Sequence, residues 1–251
     1  MGKLSSRRGK LTAGIAGFTA VAVVALVLVL TAGPATAKQF ATLHILAGTV
    51  EVDQGQGFTP GAELQTLREG DTVRTGSDGR AEVEYFDGSA TRLDYDTTFR
   101  IKQLESFPDK PGSKVIVGEQ EEGQTFNRVV ALTGSESRFE TETPTASASV
   151  QGTDYVVKVL PDGSTEYWVL SGEIVLTTPE GDEITVSAGE GVVINEDGTI
   201  GEVFELTEEQ LNDGFVDFNQ CVLDGVEECV EGEVVTPDEP EASPSPEPSP
   251  T

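Results

Sequence analysis

From Gln39 onward the chain is cut at short intervals by glycine, often as Asp-Gly, and this punctuation constrains the fold more than any other feature. Turns such as Ser77-Asp78-Gly79, Asp87-Gly88, Asp162-Gly163 and Asp197-Gly198 supply the φ > 0 positions that hairpins require. The runs between such turns are short and rich in β-branched and aromatic residues, which is an all-β signature. Before the middle of the chain the predicted strands are His44–Val52, Asp71–Arg74, Ala81–Phe86, Ala90–Leu93, Thr98–Ile101, Lys114–Val117, Phe126–Leu132 and Ser137–Thr141. After it they are Tyr155–Leu160, Ser164–Leu170, Glu173–Thr178, Glu183–Ser187 and Gly191–Asn195.

The middle itself, Thr143–Val157, reads TPTASASVQGTDYVV. Pro144 sets its start, and small residues alternate up to Val150 as on one thinly covered strand. Gly152 then gives a tight bend or a close backbone approach, next to Thr153. The blocks on either side resemble each other. LAGTVEV (46–52) matches LSGEIVL (170–176), which sets Gly48 opposite Gly172. Gly70-Asp71-Thr72-Val73 matches Gly189-Glu190-Gly191-Val192, and Gly79 follows Gly70 as Gly198 follows Gly189. The first copy is longer between its glycines, so a loop is expected to have grown there. The expected architecture is a short β-solenoid or paired twisted sheets built from two related blocks, with one short C-terminal helix.

That helix is predicted from Thr207, which forms a capping box with Gln210. Leu211, Phe215, Phe218 and Val222 then fall on one helical face, with Gly214 weakening the middle. The stripe is expected to dock on the β body. Four domains follow: 1–37 as a signal peptide or membrane anchor, 39–204 as the β domain, 205–232 as a helical segment with a cysteine pair, and 233–251 as a disordered acidic tail rich in Pro, Ser and Glu.

Residues 1–10 are basic and 11–33 uncharged, most apolar at AVAVVALVLVL. The short apolar centre followed by Ala35-Thr36-Ala37 suits a signal peptide cut between Ala37 and Lys38, whereas the full stretch would also span a bilayer. Either way the chain after Lys38 is expected outside the cytoplasm: anchored N-in and C-out, or secreted. Four bases and no acid fall in the first 37 residues. The rest therefore carries 12 basic against 44 acidic side chains, a net of −32. Such a surface repels phosphate backbones, so no nucleic-acid partner is expected.

The chemical inventory is sparse. Cys221 and Cys229 have seven residues between them and no further zinc ligand nearby; outside the cytoplasm a disulfide is favoured over two free thiols. His44 is the only histidine and sits in a strand-like run, where a structural role is expected. No P-loop, GxSxG or HExxH occurs, and the Asp-Gly turns lack the spacing of a calcium loop. Acid pairs such as Asp94/Asp96 and Glu140/Glu142 alternate on one strand face as a glycosidase pair could, but 44 acids make such coincidences cheap. No catalytic residue, cofactor or metal site is expected.

Taken together, GTVEV, LREGDTVRTGSDGRAEVEYFDGSATRLDYDTTFRI, GQTFNRV, FETETPTASASVQGTDYVV and SGEIVL…AGEGVVI resemble, in this order and over about 46–203, the FecR domain family. That family comprises the extracytoplasmic parts of membrane-anchored regulators. It usually carries Arg before the Gly-Thr where this chain has Gln151, and often Trp where this chain has Phe126. The resemblance implies structural roles for Gly48, Gly70, Asp71, Gly79, Asp87, Gly88, Pro144, Gly152, Thr153, Gly172 and Gly189. It also implies a β domain that works by binding protein partners. Family regulators relay a transporter's signal to a sigma factor through a cytoplasmic N-terminal domain, and about ten residues on that side are too few to build one. The expectation is a non-catalytic binding or sensing module with an envelope protein as partner and an unspecified oligomeric state. The alternative is a structural or glycan-binding envelope protein that stacks sugars on Trp168, Tyr85 and Tyr95.

Overall fold

The computed structural model describes residues 36–223, and these form two β-sheets facing each other across one core. Sheet A runs β4 (Phe58–Pro60), β3 (Val50–Asp53), β6 (Thr72–Thr75), β9 (Thr98–Ser106), the first half of β10 (Lys114–Arg128), β11 (Arg138–Glu142), β12 (Ser147–Val150), β15 (Glu173–Thr177) and β16 (Glu183–Ser187). β1 (Ala37–Lys38) adds beside the end of β9. Sheet B runs β5 (Gln65–Leu67), β2 (Ala41–Ala47), β7 (Arg80–Tyr85), β8 (Ala90–Leu93), the second half of β10, β13 (Asp154–Val159), β14 (Thr165–Ser171), β17 (Glu190–Ile194) and β18 (Phe204–Glu205). Every pair is antiparallel except β10 with β11. The outermost strands pair on one side only, so neither sheet closes into a barrel. Of the two expected architectures, the paired sheets are the one formed.

The shared strand β10 joins the layers. Lys114–Gln120 pairs with β9 in sheet A, the register shifts between Gln120 and Glu122, and Gly123–Arg128 pairs with β8 and β13 in sheet B. A bulge of this kind bends a strand and raises its twist, which turns β10 from one layer into the other. Sequence pattern divided this strand into Lys114–Val117 and Phe126–Leu132, because the polar GEQEEGQT between them looks like a loop. Conversely, the expected strand His44–Val52 is two strands in different sheets, separated at Gly48.

Inward residues alternate along the strands as the pleat requires: Leu43, Val83, Leu93, Tyr155 and Tyr167 from sheet B meet Val52, Val73, Phe99, Ile116, Phe139 and Ile174 from sheet A. All are buried, and each contributes roughly 1.5–3 kcal/mol by leaving water. The core tyrosines have their hydroxyls satisfied. Tyr155 Oη shares a hydrogen bond with Thr141 Oγ1 (2.8 Å) and Tyr167 Oη with Thr143 Oγ1 (2.8 Å), both across the layers. Burial holds both phenols well above their ordinary pKa, so the contacts stay neutral.

A four-residue helical turn, α1 (Glu208–Leu211), opens with the expected Thr207–Gln210 capping box. The helix proper, α2 (Gly214–Leu223), starts afresh: Asp213 Oδ1 accepts from the Phe215 amide (3.0 Å) as an N-cap, which places Gly214 at the first helical position. This restart changes the expected stripe. Leu211 is exposed, whereas Phe215, Val216 and Asn219 are buried against the outer face of sheet B, with Phe126, Val156 and Trp168 beneath. Arg92 adds a polar anchor, its Nη1 donating to Asn219 Oδ1 (3.0 Å).

Candidate functional site

Four of the glycines singled out in the sequence, Gly48, Gly79, Gly152 and Gly172, gather at two corners where strand pairs pass from one sheet to the other. At the first, β2 enters β3 through Gly48 while β6 enters β7 through the turn 76–79. Gly48 has φ +48°, and a Cβ there would lie 2.0 Å from the Asp78 carbonyl oxygen; one on Gly79 would lie 1.9 Å from the Thr49 oxygen. Asp78 Oδ1 accepts from the Thr49 amide (3.1 Å). At the second corner, β14 enters β15 through Gly172 while β12 enters β13 through Gln151-Gly152-Thr153. A Cβ on Gly172 would lie 2.7 Å from the Gly152 oxygen, and Thr153 Oγ1 donates to the Glu173 carbonyl (2.8 Å). Gly152 has φ +131° and packs on Ala131.

Gly48 and Gly172 are therefore counterparts, as the sequence match implies. The second half of that match fails. Gly70 leads into β6 of sheet A, whereas Gly189 leads into β17 of sheet B. In pairing, the strand equivalent to β17 is β5, which the sequence reading passed over. Asp71 closes a turn, its Oδ2 accepting from the Arg68 amide (2.9 Å) and Gln54 Nε2 (2.7 Å). Asp87 accepts from the Ser89 amide and hydroxyl (both 2.9 Å) and pairs with Lys114, and Gly88 completes the β7–β8 hairpin. Pro144 is exposed in the β11–β12 turn, whose next residues, Thr145 and Ala146, are buried. Lys38, in β1, bridges Glu69 (2.5 Å) and Glu105 (2.7 Å), while Ala37 pairs with Ser106. Residues 1–35, Cys229 and the tail lie outside the described residues, and of the Cys221 side chain nothing is described, so the disulfide, anchor and tail expectations are not placed.

The chemical candidates other than the exposed Asp96 are held in structural contacts. His44 Nδ1 lies 3.0 Å from Glu63 and Nε2 3.1 Å from Glu84; burial lowers its pKa, but the two carboxylates outweigh this and hold it above the ordinary value. Asp94 pairs with Arg80 (2.7 Å), Glu140 with Arg138 (3.2 Å) and Glu142 with Lys102 (2.6 Å). Among the described residues no three or more His, Cys, Asp or Glu side chains could hold a metal ion. The proposed sugar-stacking surface is not formed: Tyr85 and Trp168 are buried, and the Arg80 guanidinium lies 4.3 Å over the Tyr95 ring. Strong β-propensity marks aromatics for strands, but which face they take is decided by what covers the sheet.

Two features remain open to a partner. The edge strand β16 pairs only with β15, and Glu183, Thr185 and Ser187 are exposed. At the other three edges, β4 is three residues ending in Pro60, β5 is three residues and β18 two, all poor templates for an added strand. The second feature is a cleft of about 590 Å3 where β10 bends between the sheets. It is bounded by the β8–β9 turn, the 121–124 bend and the β13–β14 turn. Sequence reading missed the cleft because its walls come from segments far apart in the chain.

No curated protein matches the chain. Two crystal structures, each of a proposed anti-sigma factor from Parabacteroides distasonis ATCC 8503, are similar. One is 21% identical, with a TM-score of 0.44, and the match covers 56% of this chain and 61% of that one. The other is 20% identical, with a TM-score of 0.45, and covers 58% and 64%. The match thus spans less than two thirds of either structure. Residues 71–175 match the model of the FecR protein family, a narrower span than the motifs suggested, running from Asp71 through the second corner to Val175 of β15.

Proposed function

We propose that the chain is an extracytoplasmic, non-catalytic module that recognises a protein partner in envelope signalling or regulation. The FecR match supports a regulatory or signalling role. The observation that carries the finer reading is the open β16 edge: a five-residue strand that pairs with β15 on one side only, beside an otherwise blunted pair of sheets. A partner's extended segment adds to such an edge through main-chain hydrogen bonds, with exposed side chains setting the register. The basic, then apolar, residues 1–33 support delivery across a membrane. Among the described residues no helix is long and apolar enough to cross one.

Photocrosslinking in intact cells tests the reading. A benzophenone side chain at Thr185 should give an adduct with an envelope protein, and one at the exposed Glu136 should not. If neither position captures an envelope protein, edge recognition is wrong. N-terminal sequencing of the mature protein separates a released chain beginning at Lys38 from an anchored one that retains its first residues.

A further inference from the structure

We infer that the cleft at the β10 bend binds a basic, extended peptide segment of a protein partner, its main chain taking a hydrogen bond from Gln124 and its Lys or Arg side chains lying against Asp96 and Glu121. The inference rests on the reading of the chain as a protein-recognition module and adds a contact with its own chemistry.

Gln124 is the starting observation. It lines the cleft, is 8% exposed, and its Nε2 is buried without a hydrogen-bond partner. A buried amide left unsatisfied is costly, and native proteins leave few of them. An acceptor entering the cleft, such as a peptide carbonyl, would satisfy it. The charges select the rest of the ligand. The four acids of the wall are not equivalent: Asp94 is paired with Arg80, and Glu122 accepts from Thr98 Oγ1 (2.8 Å). Asp96 and Glu121 are exposed, with no partner among the described residues. The single base of the wall, Lys158, has its ammonium 5.8 Å from the centre of the Trp168 ring.

The acids are spread along the walls, and among the described residues no three converge as a divalent ion would need. That distribution fits cations carried along a chain rather than one compact ion. The apolar wall formed by Val159, Leu160 and Pro161 suits the aliphatic stems of Lys and Arg.

The test uses the full chain and a fluorescein-labelled nonapeptide alternating arginine with glycine, compared by anisotropy with a twin carrying glutamate for arginine. The basic peptide should bind and the acidic one should not, with affinity falling as salt rises. Asp96→Asn with Glu121→Gln should weaken binding about tenfold. Glu136→Gln with Glu209→Gln, which removes the same charge elsewhere, should change it less than about twofold. Gln124→Leu should weaken binding roughly fivefold while leaving or raising the melting temperature, because it removes an unsatisfied polar group. Equal loss in the two charge variants would reduce the effect to attraction by a highly acidic surface and overturn the inference. So would absence of binding by the basic peptide, or unchanged affinity in Gln124→Leu. A captured envelope protein at Thr185 together with any of these results would remove the cleft proposal alone.

Discussion

The two corners use the same device with different tolerances, and the sheet B faces beside them are coated differently. At the Gly48 corner both crossing segments carry glycine at the contact, with Cβ positions 2.0 and 1.9 Å from a carbonyl oxygen, far inside van der Waals contact. At the Gly172 corner one partner, Thr153, has a side chain, and its hydroxyl bridges to Glu173. On the adjoining faces His44 of β2 and Trp168 of β14 are equivalent by the Gly48/Gly172 register. His44 is half-exposed between two glutamates, whereas Trp168 is sealed under α2. The same backbone supports a solvated polar face in one block and a second hydrophobic cluster in the other, so fold and surface are set independently.

Substitutions at the first corner should have the largest effect. Gly79→Ala or Gly48→Ala drives a methyl group into a carbonyl, and the corner must open. We expect a loss of more than about 4 kcal/mol, read by chemical denaturation, with the chain failing to fold at the upper end. Near-native stability in either would show that the corner is pliable.

Removing the coat of the second block comes next. Phe215→Ala should cost about 3–5 kcal/mol and shift the emission of Trp168, the only tryptophan, to the red. Unshifted fluorescence would mean that α2 does not seal that face. Close to it in size, Gly152→Val sets a β-branched residue at φ +131° within 3.0 Å of Ala131 Cα and should impair folding by about 2–4 kcal/mol. Gln151→Arg, exposed at the same turn beside Glu173, should stay within about 0.5 kcal/mol of the parent. The reverse order would undo the structural role assigned to Gly152.

Gly70→Ala and Gly189→Ala meet nothing within 4 Å, so only the positive φ is lost, and each should cost about 1 kcal/mol. The smallest effect belongs to His44. Because its folded pKa is raised, its contribution is present in full below 6.5 and disappears as pH rises through the folded value. His44→Gln should therefore flatten a slight loss of stability on going from mildly acidic to alkaline pH. A titration by NMR that found its pKa at or below 6.5 would contradict the two-glutamate clamp.

What could be read from the sequence was what short segments encode. Turn glycines, the Thr207 cap and the alternation of buried residues in β7 and β12 depend on neighbours a few residues away. The Gly48/Gly172 correspondence could be read for the same reason. The sequence did not reveal which sheet each strand joins. Gly70 and Gly189 make the same open, positive-φ turn, yet their strands go to opposite layers, because pairing depends on partners far away in the chain. The polar middle of β10 looked like a loop and is the hinge between the sheets.

By itself, then, the sequence determined an all-β body punctuated by glycine corners, the FecR likeness and the absence of a familiar catalytic motif. Only the tertiary structure decided that Trp168 and Tyr85 are interior, that β16 is the open edge, and that Gln124 faces a cleft with its amide unsatisfied. The physical reason is that burial and hydrogen-bond satisfaction belong to the assembled sheets: a side chain's own chemistry says what it needs, and the packing of distant strands decides whether it is met.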